Sequence, residues 1–497
     1  MRHYKLKIPF SIFGLLLLSN LSAQQISQIG LSNYGKANSM YLNPSFTAYS
    51  KLRWQVNVAG FWVNANSNYL SMHLPYSIYR IPNRIPVAYQ TESGNPRFDK
   101  SWVHEHLNGR TKQLSVSSEV YGPAFSANYK SWTFGVFTQV AAGVRLVKLP
   151  ENLAHALFNE LDSSKGAYSL FNSYAQGGLN KFNAFSSTAN SRINLGLNLA
   201  KKIQLDFDRQ LLIGVNIKKV WGMPGYYLSA DAMQAQALSA DSVLFSPTQI
   251  KLYDYSNQRG NGWGTDIGLT YVYHKKDIHR NGVYAENKSN YFAKFGLSIL
   301  DIGRIKYQDV EVTSLVLSQT TGINLNSSFG NSVGQSGDYL AMADSFLNQF
   351  GSVQKSRENV LVGLPTRMVA SADFQLKEKF YVAAVLSQSL RKRNSIHAYS
   401  QSYLMVSPRY ESRYFEFSLP ALLEYDYRSV RLGASMRFGP FFIGSNSLVS
   451  FVHSKGLRDA DLFAGIAFGN SLPWKKGAKS KSKKQRASKE KRECGGF

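Results

Sequence analysis

Cysteine, charge and long apolar runs are all scarce in this sequence of 497 residues. Its only cysteine is Cys494, so a disulfide framework within the chain is impossible. Charged residues account for 18% of the chain, against about 25% in typical soluble domains, which argues against an ordinary cytosolic enzyme. Beyond the N-terminal residues no apolar run reaches the roughly 18 residues of a spanning helix, which excludes a helical membrane protein. The aromatic content of 13% excludes intrinsic disorder for all but the last two dozen or so residues.

The first 23 residues have the pattern of a secretory signal peptide. Basic residues precede the apolar run 12–18, and Ala23 offers a small residue at the cleavage site. The alternative interpretation, a buried first helix, fits the basic start less well. The sequence therefore predicts export, a mature N-terminus at Gln24 and a location in the cell envelope, where a chain with almost no cysteine is well suited.

The C-terminal residues 471–497 form a basic, low-complexity tail that we expect to be disordered. From Lys475 onward the tail has ten Lys and Arg residues against Glu490 and Glu493. In an exported protein the predicted partners are peptidoglycan or anionic lipid, and nucleic acid is not expected. A solvated tail without any partner is the alternative.

Alternation of apolar and polar residues is the main structural signal in residues 51–470. Leu197, Ile213 and Phe374 belong to apolar rows, and polar residues such as Asn198 and Asp373 belong to the opposite rows. The clearest runs are 192–199, 210–218, 266–274, 367–376 and 430–438. Their length is about the 9–11 residues that a tilted strand needs to cross a bilayer.

These runs predict an all-β fold: a closed antiparallel transmembrane barrel of about 14 strands, within a range of 12–16. A soluble sandwich or propeller is the alternative, but soluble strands are usually only five or six residues long. We expect residues 24–50 to lie in the lumen as a plug, and long extracellular loops to carry short helices starting at Pro150 and over 338–350. The predicted location is the outer membrane, with outer-membrane lipid around the barrel and both termini in the periplasm.

The connections between strands predict the orientation. Short polar turns are expected at 130–131, 204–209, 377–379 and 426–429, and long loops at 65–112, 148–190, 222–262 and 308–364. Weaker strand candidates lie near 226–230 and 305–315. Aromatic residues near strand ends are expected to form interfacial girdles. These are Trp54, Trp62, Tyr129, Trp132, Tyr271, Tyr273, Tyr425 and Tyr427.

Four short motifs carry a family resemblance over nearly the whole mature chain. They are Tyr41-Leu42-Asn43-Pro44, the segment 300–307 with Asp301 and Gly303, the Leu364-Pro365-Thr366 triplet, and a C-terminal series with Pro408, Arg409, Pro420, Gly439, Pro440 and Gly444. Together they resemble an uncharacterised family of outer-membrane barrels from bacteria with type IX secretion. That family is similar to the long-chain fatty-acid transporter (FadL-like) barrels and to the PorV/PorP barrels.

The resemblance has implications for function. In the fatty-acid transporter family an Asn-Pro-Ala motif lies in an N-terminal segment that plugs the lumen. Asn43 and Pro44 match that motif and Ser45 departs from it, so a plug is implied without a particular ligand. The type IX proteins act instead as shuttles or anchors for cell-surface machinery.

Sites for catalysis or metal binding have little support. His104-Glu105-His106 lacks the His-Glu-x-x-His spacing of a zinc protease, although two histidines on one strand face allow weak metal binding. We expect an ordinary polar loop there, and we predict no enzymatic activity, no metal and no cofactor. Two functions remain: a transport barrel for small apolar or amphiphilic solutes, or a barrel that anchors or assists cell-surface or type IX secretion machinery.

Overall fold

The computed structural model describes residues 27–76, 86–90, 99–160, 179–239, 242–246, 248–274, 291–317, 323–324, 351–424, 426–448 and 457–471. The predicted signal peptide, the predicted helix over 338–350 and the tail beyond Ser471 lie outside these residues. Within them, no helix has both the length and the apolar character needed to cross a bilayer.

One antiparallel sheet closes on itself as a barrel of 14 strands, which confirms the predicted fold. The first strand pairs with both the second and the last, and this pairing closes the barrel. Five strands are interrupted. The strands are β1 (Leu52–Ser67), β2 (Lys112–Tyr129), β3 (Trp132–Leu149), β4 (Phe185–Gln204), β5 (Arg209–Gly222 and Tyr226–Ala230), β6 (Thr248–Asp254 and Gly260–His274), β7 (Tyr291–Leu317), β8 (Gly351–Gly363 and Arg367–Lys377), β9 (Phe380–Ser389), β10 (Tyr403–Glu411), β11 (Phe415–Ser418 and Ala421–Glu424), β12 (Ser429–Leu432 and Ala434–Phe438), β13 (Phe441–Ser445) and β14 (Asp459–Ser471).

Smaller elements lie at the N-terminus and between the strands. Helix α1 (Ser27–Leu31) begins the described chain, and α2 (Glu151–Glu160) confirms the helix predicted after Pro150. Single-turn 3₁₀ helices occupy Asn38–Tyr41, Pro44–Ala48, Val87–Tyr89 and Lys100–Trp102. Leu70–Met72 pairs with Val103–Glu105, and a separate small sheet contains Leu179–Phe182, Met233–Ser239, Ser242–Phe245 and Ile323–Asn324.

The two ends of the barrel differ as expected, with two corrections. Short turns at 130–131, 205–208, 378–379, 412–414 and 439–440 lie at one end, the end at which β1 begins. The turn at 426–429 is predicted at this end, and that prediction is wrong. This turn joins β11 to β12 at the opposite end of the barrel, where the long loops lie. A short connection alone does not identify the end of a barrel.

The described parts of the predicted loops at 222–262 and 308–364 are largely strand. β5 continues to Ala230, β6 begins at Thr248, β7 runs to Leu317 and β8 begins at Gly351. The strand candidates at 226–230 and 305–315 are therefore continuations of β5 and β7, not additional strands. Near the short-turn end these strands alternate between apolar and polar residues. Toward the loop end this alternation disappears, as in β8, where residues 354–359 are exposed on both faces.

The predicted facing of the strands is confirmed. Leu197, Ile213 and Phe374 point outward, with 64%, 45% and 36% of their surfaces exposed, and Asn198 and Asp373 are buried on the inner face. Asn216 is also buried there. The outward residues form an apolar belt around the barrel, which has the composition of a surface that faces lipid hydrocarbon. Its members include Phe61, Val120, Phe134, Leu195, Leu269, Leu297, Val406, Met436 and Ile443.

Part of the predicted aromatic girdle lies at the belt edge. Trp54, Tyr129 and Trp132 are exposed near the short-turn end. Trp62 was predicted to join them, and this was wrong, because only 2% of its surface is exposed and its indole Nε1 donates to Asp461 Oδ2 at 2.5 Å. Trp62 lies on the luminal row of β1.

A charge placed on the belt tests the facing directly. We expect Leu197→Arg to reduce the free energy of unfolding in a bilayer by about 2–4 kcal/mol, because the guanidinium enters hydrocarbon. Leu205→Arg, in the exposed turn after β4, is the matched control and should cost about 1 kcal/mol or less. The measurement is reversible denaturant unfolding in lipid vesicles. Equal losses for the two variants would contradict the assignment of the belt.

Candidate functional site in the barrel lumen

Residues 27–51, called the luminal segment below, lie against the inner wall of the barrel and are almost entirely buried. Asn43 begins the 3₁₀ helix Pro44–Ala48, because its side-chain Oδ1 accepts a hydrogen bond from the Ser45 N–H at 3.0 Å. Pro44 occupies the first helical position, where its missing N–H removes no hydrogen bond. The Asn43-Pro44 motif thus shapes the part of the luminal segment that touches the wall.

Glycines in the barrel wall leave the space that the luminal segment occupies. Gly214 of β5 and Gly268 of β6 are cross-strand neighbours. A Cβ atom at Gly214 would lie 2.4 Å from the Pro44 carbonyl carbon and the Ser45 nitrogen, and one at Gly268 would lie 2.1 Å from Asn43 Oδ1. Only a wall without side chains at these positions admits the segment. Gly135 and Gly296 provide similar space for Met40 and Phe46.

A chain of amides joins the luminal segment to the wall. Asn198 Nδ2 donates to the Pro44 carbonyl at 3.2 Å and to Asn216 Oδ1 at 2.8 Å. Asn216 Nδ2 in turn donates to the Met40 carbonyl at 3.0 Å and to Asp266 Oδ2 at 2.8 Å. These side chains satisfy backbone carbonyls of the segment that would otherwise be buried without a partner.

Asp301, one of the four-motif residues, lies at a β-bulge of β7. The pairing with β6 shifts between Ile299 and Ile302, so two residues of β7 oppose Asp266 alone. The bulge directs the Asp301 carboxylate into the lumen, where it lies 2.5 Å from Lys218 Nζ and 3.6 Å from Arg367 Nη1. Lys218 Nζ also lies 2.7 Å from Asp266 Oδ1. The motif therefore has an electrostatic role inside the barrel.

Arg409, another motif residue, connects a second luminal network to the luminal segment. Its guanidinium lies 2.7 Å from Asp373 Oδ2 and 2.7 Å from Glu411 Oε1. Glu411 Oε2 accepts from Asn33 Nδ2 of the luminal segment at 2.8 Å. Lys294 Nζ lies 3.3 Å from Asp373. Each of these charges has an opposite charge beside it, as burial away from water requires.

The other motif residues lie at interruptions and turns. Pro365 lies between the two segments of β8, and Pro420 between those of β11. Pro408 lies in β10, where its carbonyl accepts from the Leu419 N–H at 3.1 Å. Gly439 and Pro440 form the turn from β12 to β13, and Gly444 lies beneath the Phe463 ring. Gly303 faces the Trp263 carbonyl so closely that a Cβ would lie 2.2 Å from its oxygen.

The histidines singled out in the first long loop lie at the barrel mouth. The His104 ring packs on His73 with centroids 4.2 Å apart, and His106 Nε2 shares a hydrogen bond with Ser71 Oγ at 2.7 Å. Glu105 lies 3.0 Å from His155 Nδ1. Across the described ranges, no three His, Cys, Asp or Glu side chains are grouped to hold a metal ion.

Helix α2 is fixed at the same mouth by its first residue. The Glu151 carboxylate lies 2.6 Å from Lys112 Nζ and accepts hydrogen bonds from the backbone N–H groups of Asn108 and Gly109. Burial acts to raise the pKa of Glu151, but the hydrogen bonds from Lys112 and from these two backbone groups outweigh it and lower the pKa. Glu151 therefore stays charged and ties the loop to the start of β2.

The luminal segment also covers an apolar patch on the inner wall, which the sequence analysis missed. Leu31, Leu42 and Phe46 of the segment pack against inward residues of β7 to β11. Those wall residues are Leu300, Val369, Ala383, Val385, Tyr403, Met405 and Leu422. Their inward position could be deduced from strand alternation, but their common neighbour could not.

A double-mutant cycle tests the contact between wall and segment. We expect Gly214→Ala to destabilise the full chain by about 1–3 kcal/mol, because the methyl group meets the Pro44 backbone. In a chain lacking residues 26–48 the same substitution should have almost no effect. Denaturant unfolding of the four variants measures the coupling. Equal effects of Gly214→Ala in both chains would show that the segment does not contact this wall in solution.

Comparisons with known proteins assign no activity to this chain. No curated protein matches the sequence. Among solved structures, a TodX deltaS2S3 mutant monoaromatic hydrocarbon channel is 9% identical, with 88% of this chain and 95% of that chain covered and a TM-score of 0.42. A Pseudomonas aeruginosa FadL homologue is 10% identical (90% and 98% covered, TM-score 0.39), and the Pseudomonas putida toluene transporter TodX is 11% identical (91% and 100% covered, TM-score 0.39).

One family model matches residues 44–446, which include the Pro44 helix, the wall residues of the luminal networks and every barrel strand except β14. The model describes a family of unknown function, DUF5723. Because the match covers most of the chain, this protein belongs to the DUF5723 family.

Proposed function

We propose that the protein is an outer-membrane channel for small apolar or amphiphilic solutes, and that the luminal segment is its plug. The apolar patch beneath the segment is the observation that carries this proposal. A barrel that serves only as an anchor can fill its lumen with charged and aromatic residues. This barrel has charged networks in its lumen, but it also has an apolar patch on its inner wall, and the luminal segment that covers this patch is held by non-covalent contacts.

Apolar residues on the inner wall extend beyond the patch that the luminal segment covers. On β7, Leu300 contacts the luminal segment, and Ile305 belongs to the next buried apolar cluster above the bulge. On β8, Val369 and Leu364 occupy the two clusters in the same way. An apolar solute that entered from the loop end would therefore meet apolar side chains on both sides of the bulge, on the same side of the barrel.

The contacts that hold the luminal segment are suited to release. They include hydrogen bonds between neutral amides, hydroxyls and backbone carbonyls, hydrogen bonds from Ser32 and Asn33 to the carboxylates of Glu416 and Glu411, and the Lys51–Glu411 ion pair at 3.8 Å. A neutral hydrogen bond typically contributes about 0.5–1.5 kcal/mol and one to a charged group about 1.5–3 kcal/mol, because water can replace either partner when the segment leaves. The segment joins β1 at the short-turn end, so it can withdraw toward the periplasm without breaking the barrel.

Deletion of the plug tests the proposal. A chain lacking residues 26–48 should show higher single-channel conductance, and it should bind the apolar fluorophore phenylnaphthylamine through the uncovered patch. Met405→Gln in the deleted chain is the matched control, because it should reduce fluorophore binding while the conductance stays raised. Unchanged conductance of a folded deletion variant would contradict the plug and favour the anchoring function.

A reversible cross-link is a sharper version of the same test. Ser45 Oγ lies 2.5 Å from Thr270 Oγ1 of β6, so cysteines at these two positions are close enough to form a disulfide. In a Cys494→Ser background, the oxidised Ser45→Cys/Thr270→Cys variant should carry no solute, and reduction should restore transport. Equal transport before and after reduction would show that solutes do not pass by displacing the plug.

A further inference from the structure

A row of four residues, two of them basic, lies on the outer surface of the barrel just above the apolar belt. Lys219 of β5, Trp263 of β6, Arg304 of β7 and Gly363 of β8 are successive cross-strand neighbours at one height. On β7 the belt ends at Ile302, and outward Arg304 follows it. Trp263 is 61% exposed, with Lys219 Nζ 4.8 Å from its ring centre, which is typical of a membrane interface.

A cavity of about 500 Å³ opens at the end of this row. The loop 390–402 supplies Arg391 and His397 to it, and the wall supplies Arg304, Leu361 and the two glycines Gly303 and Gly363. Gly363 makes room for the Arg391 guanidinium, since a Cβ at this position would lie 2.8 Å from Arg391 Cζ. The cavity is thus built by a contact between the loop and a wall position without a side chain.

The orientation of Arg391 is fixed, but its charge is not neutralised. Its Nε donates to the Leu364 carbonyl at 3.1 Å, and its Nη2 donates to the Gly303 carbonyl at 3.3 Å. Among the residues that the structure describes, no carboxylate forms an ion pair with Arg391 or Arg304. Two guanidinium groups therefore face one cavity with their positive charges uncompensated.

His397 adds a neutral hydrogen-bond donor to the cavity. Its Nδ1 accepts from the Gly363 N–H at 3.0 Å, so the proton of the neutral imidazole resides on Nε2. Burial, and next the positive charge of Arg391, lower the pKa of His397. The ring is therefore neutral at physiological pH and offers an N–H on the side away from Gly363.

We infer that this cavity binds the phosphate group of an anionic lipid in the leaflet at the loop end of the barrel. Arginine guanidinium groups match phosphate oxygens in charge and geometry, and basic pockets at head-group depth bind lipid phosphates. Ile302, which is 38% exposed directly below Arg304 on β7, belongs to the apolar surface along which an acyl chain would lie. Binding of free phosphate would require neither an adjacent apolar surface nor a position at the edge of the belt. The inference rests on the proposed outer-membrane location.

The test measures lipid binding to the full-length protein in phosphatidylcholine nanodiscs, with diphosphoryl lipid A as the probe. The Arg304→Gln/Arg391→Gln variant should lose about tenfold or more in affinity, because charged hydrogen bonds to phosphate are removed. Gly363→Ala should also weaken binding, although it keeps every charge. Arg357→Gln is the matched control, because Arg357 is exposed on the same strand and pairs with Asp309 at 2.9 Å. Heat-modifiable migration in gels verifies that each variant is folded.

Three outcomes would overturn the inference: unchanged affinity of a folded double variant, equal loss in Arg357→Gln, or displacement of the lipid by millimolar inorganic phosphate. The last outcome would identify a site for free phosphate. Plug-dependent conductance of the same variants separates this inference from the proposed function, because Arg304 and Leu361 line the cavity from the outer surface of the barrel and none of its lining residues belongs to the luminal segment. A double variant that binds lipid A normally and still conducts after deletion of 26–48 would refute the lipid site alone.

Discussion

Closure of the sheet is the constraint on which the rest of this structure depends. A strand edge exposed to hydrocarbon would leave backbone N–H and C=O groups without partners, and the pairing of β1 with β14 removes that edge. Closure creates an interior that water or protein must fill. Here the chain fills it with the residues that immediately precede β1, so the segment that starts the barrel also occupies it.

Outside the apolar patch the interior is polar, and its charges are held in pairs and triads. Asp301 with Lys218 and Arg367, and Arg409 with Asp373 and Glu411, place each buried charge beside an opposite one. Removal of one partner from such a group typically costs about 3–5 kcal/mol, because the remaining charge stays buried. These networks determine the shape of the lumen. The amide and hydroxyl hydrogen bonds of the luminal segment are weaker than these charged contacts, so the segment is held less rigidly than the wall.

The sequence predicted the fold best where the polarity of a residue depends only on whether that residue faces lipid or lumen. Alternation around Leu197 and Ile213 predicted the belt and the barrel, because lipid and lumen impose opposite polarity on successive residues. Above the bilayer both faces of β8 are wet, so Lys355 and Arg357 carried no strand signal, and the strand was interpreted as a loop. Gly214 and Gly363 carried no signal either, since the reason for each glycine is a distant residue, Pro44 in one case and Arg391 in the other. Contacts of that kind require the fold to be known first.

The strands are unequal in length around the barrel. β7 has 27 residues, whereas β13 has five, although about 9–11 are needed to cross the hydrocarbon core. On β7 the apolar belt ends at Ile302, so the rest of this strand lies beyond the hydrocarbon, and beside β13 the belt is completed by Val430, Leu432, Met436 and Phe438 of β12. The difference in strand length therefore falls outside the bilayer. The wall formed by β7 and β8 projects above the membrane surface as a one-sided rim.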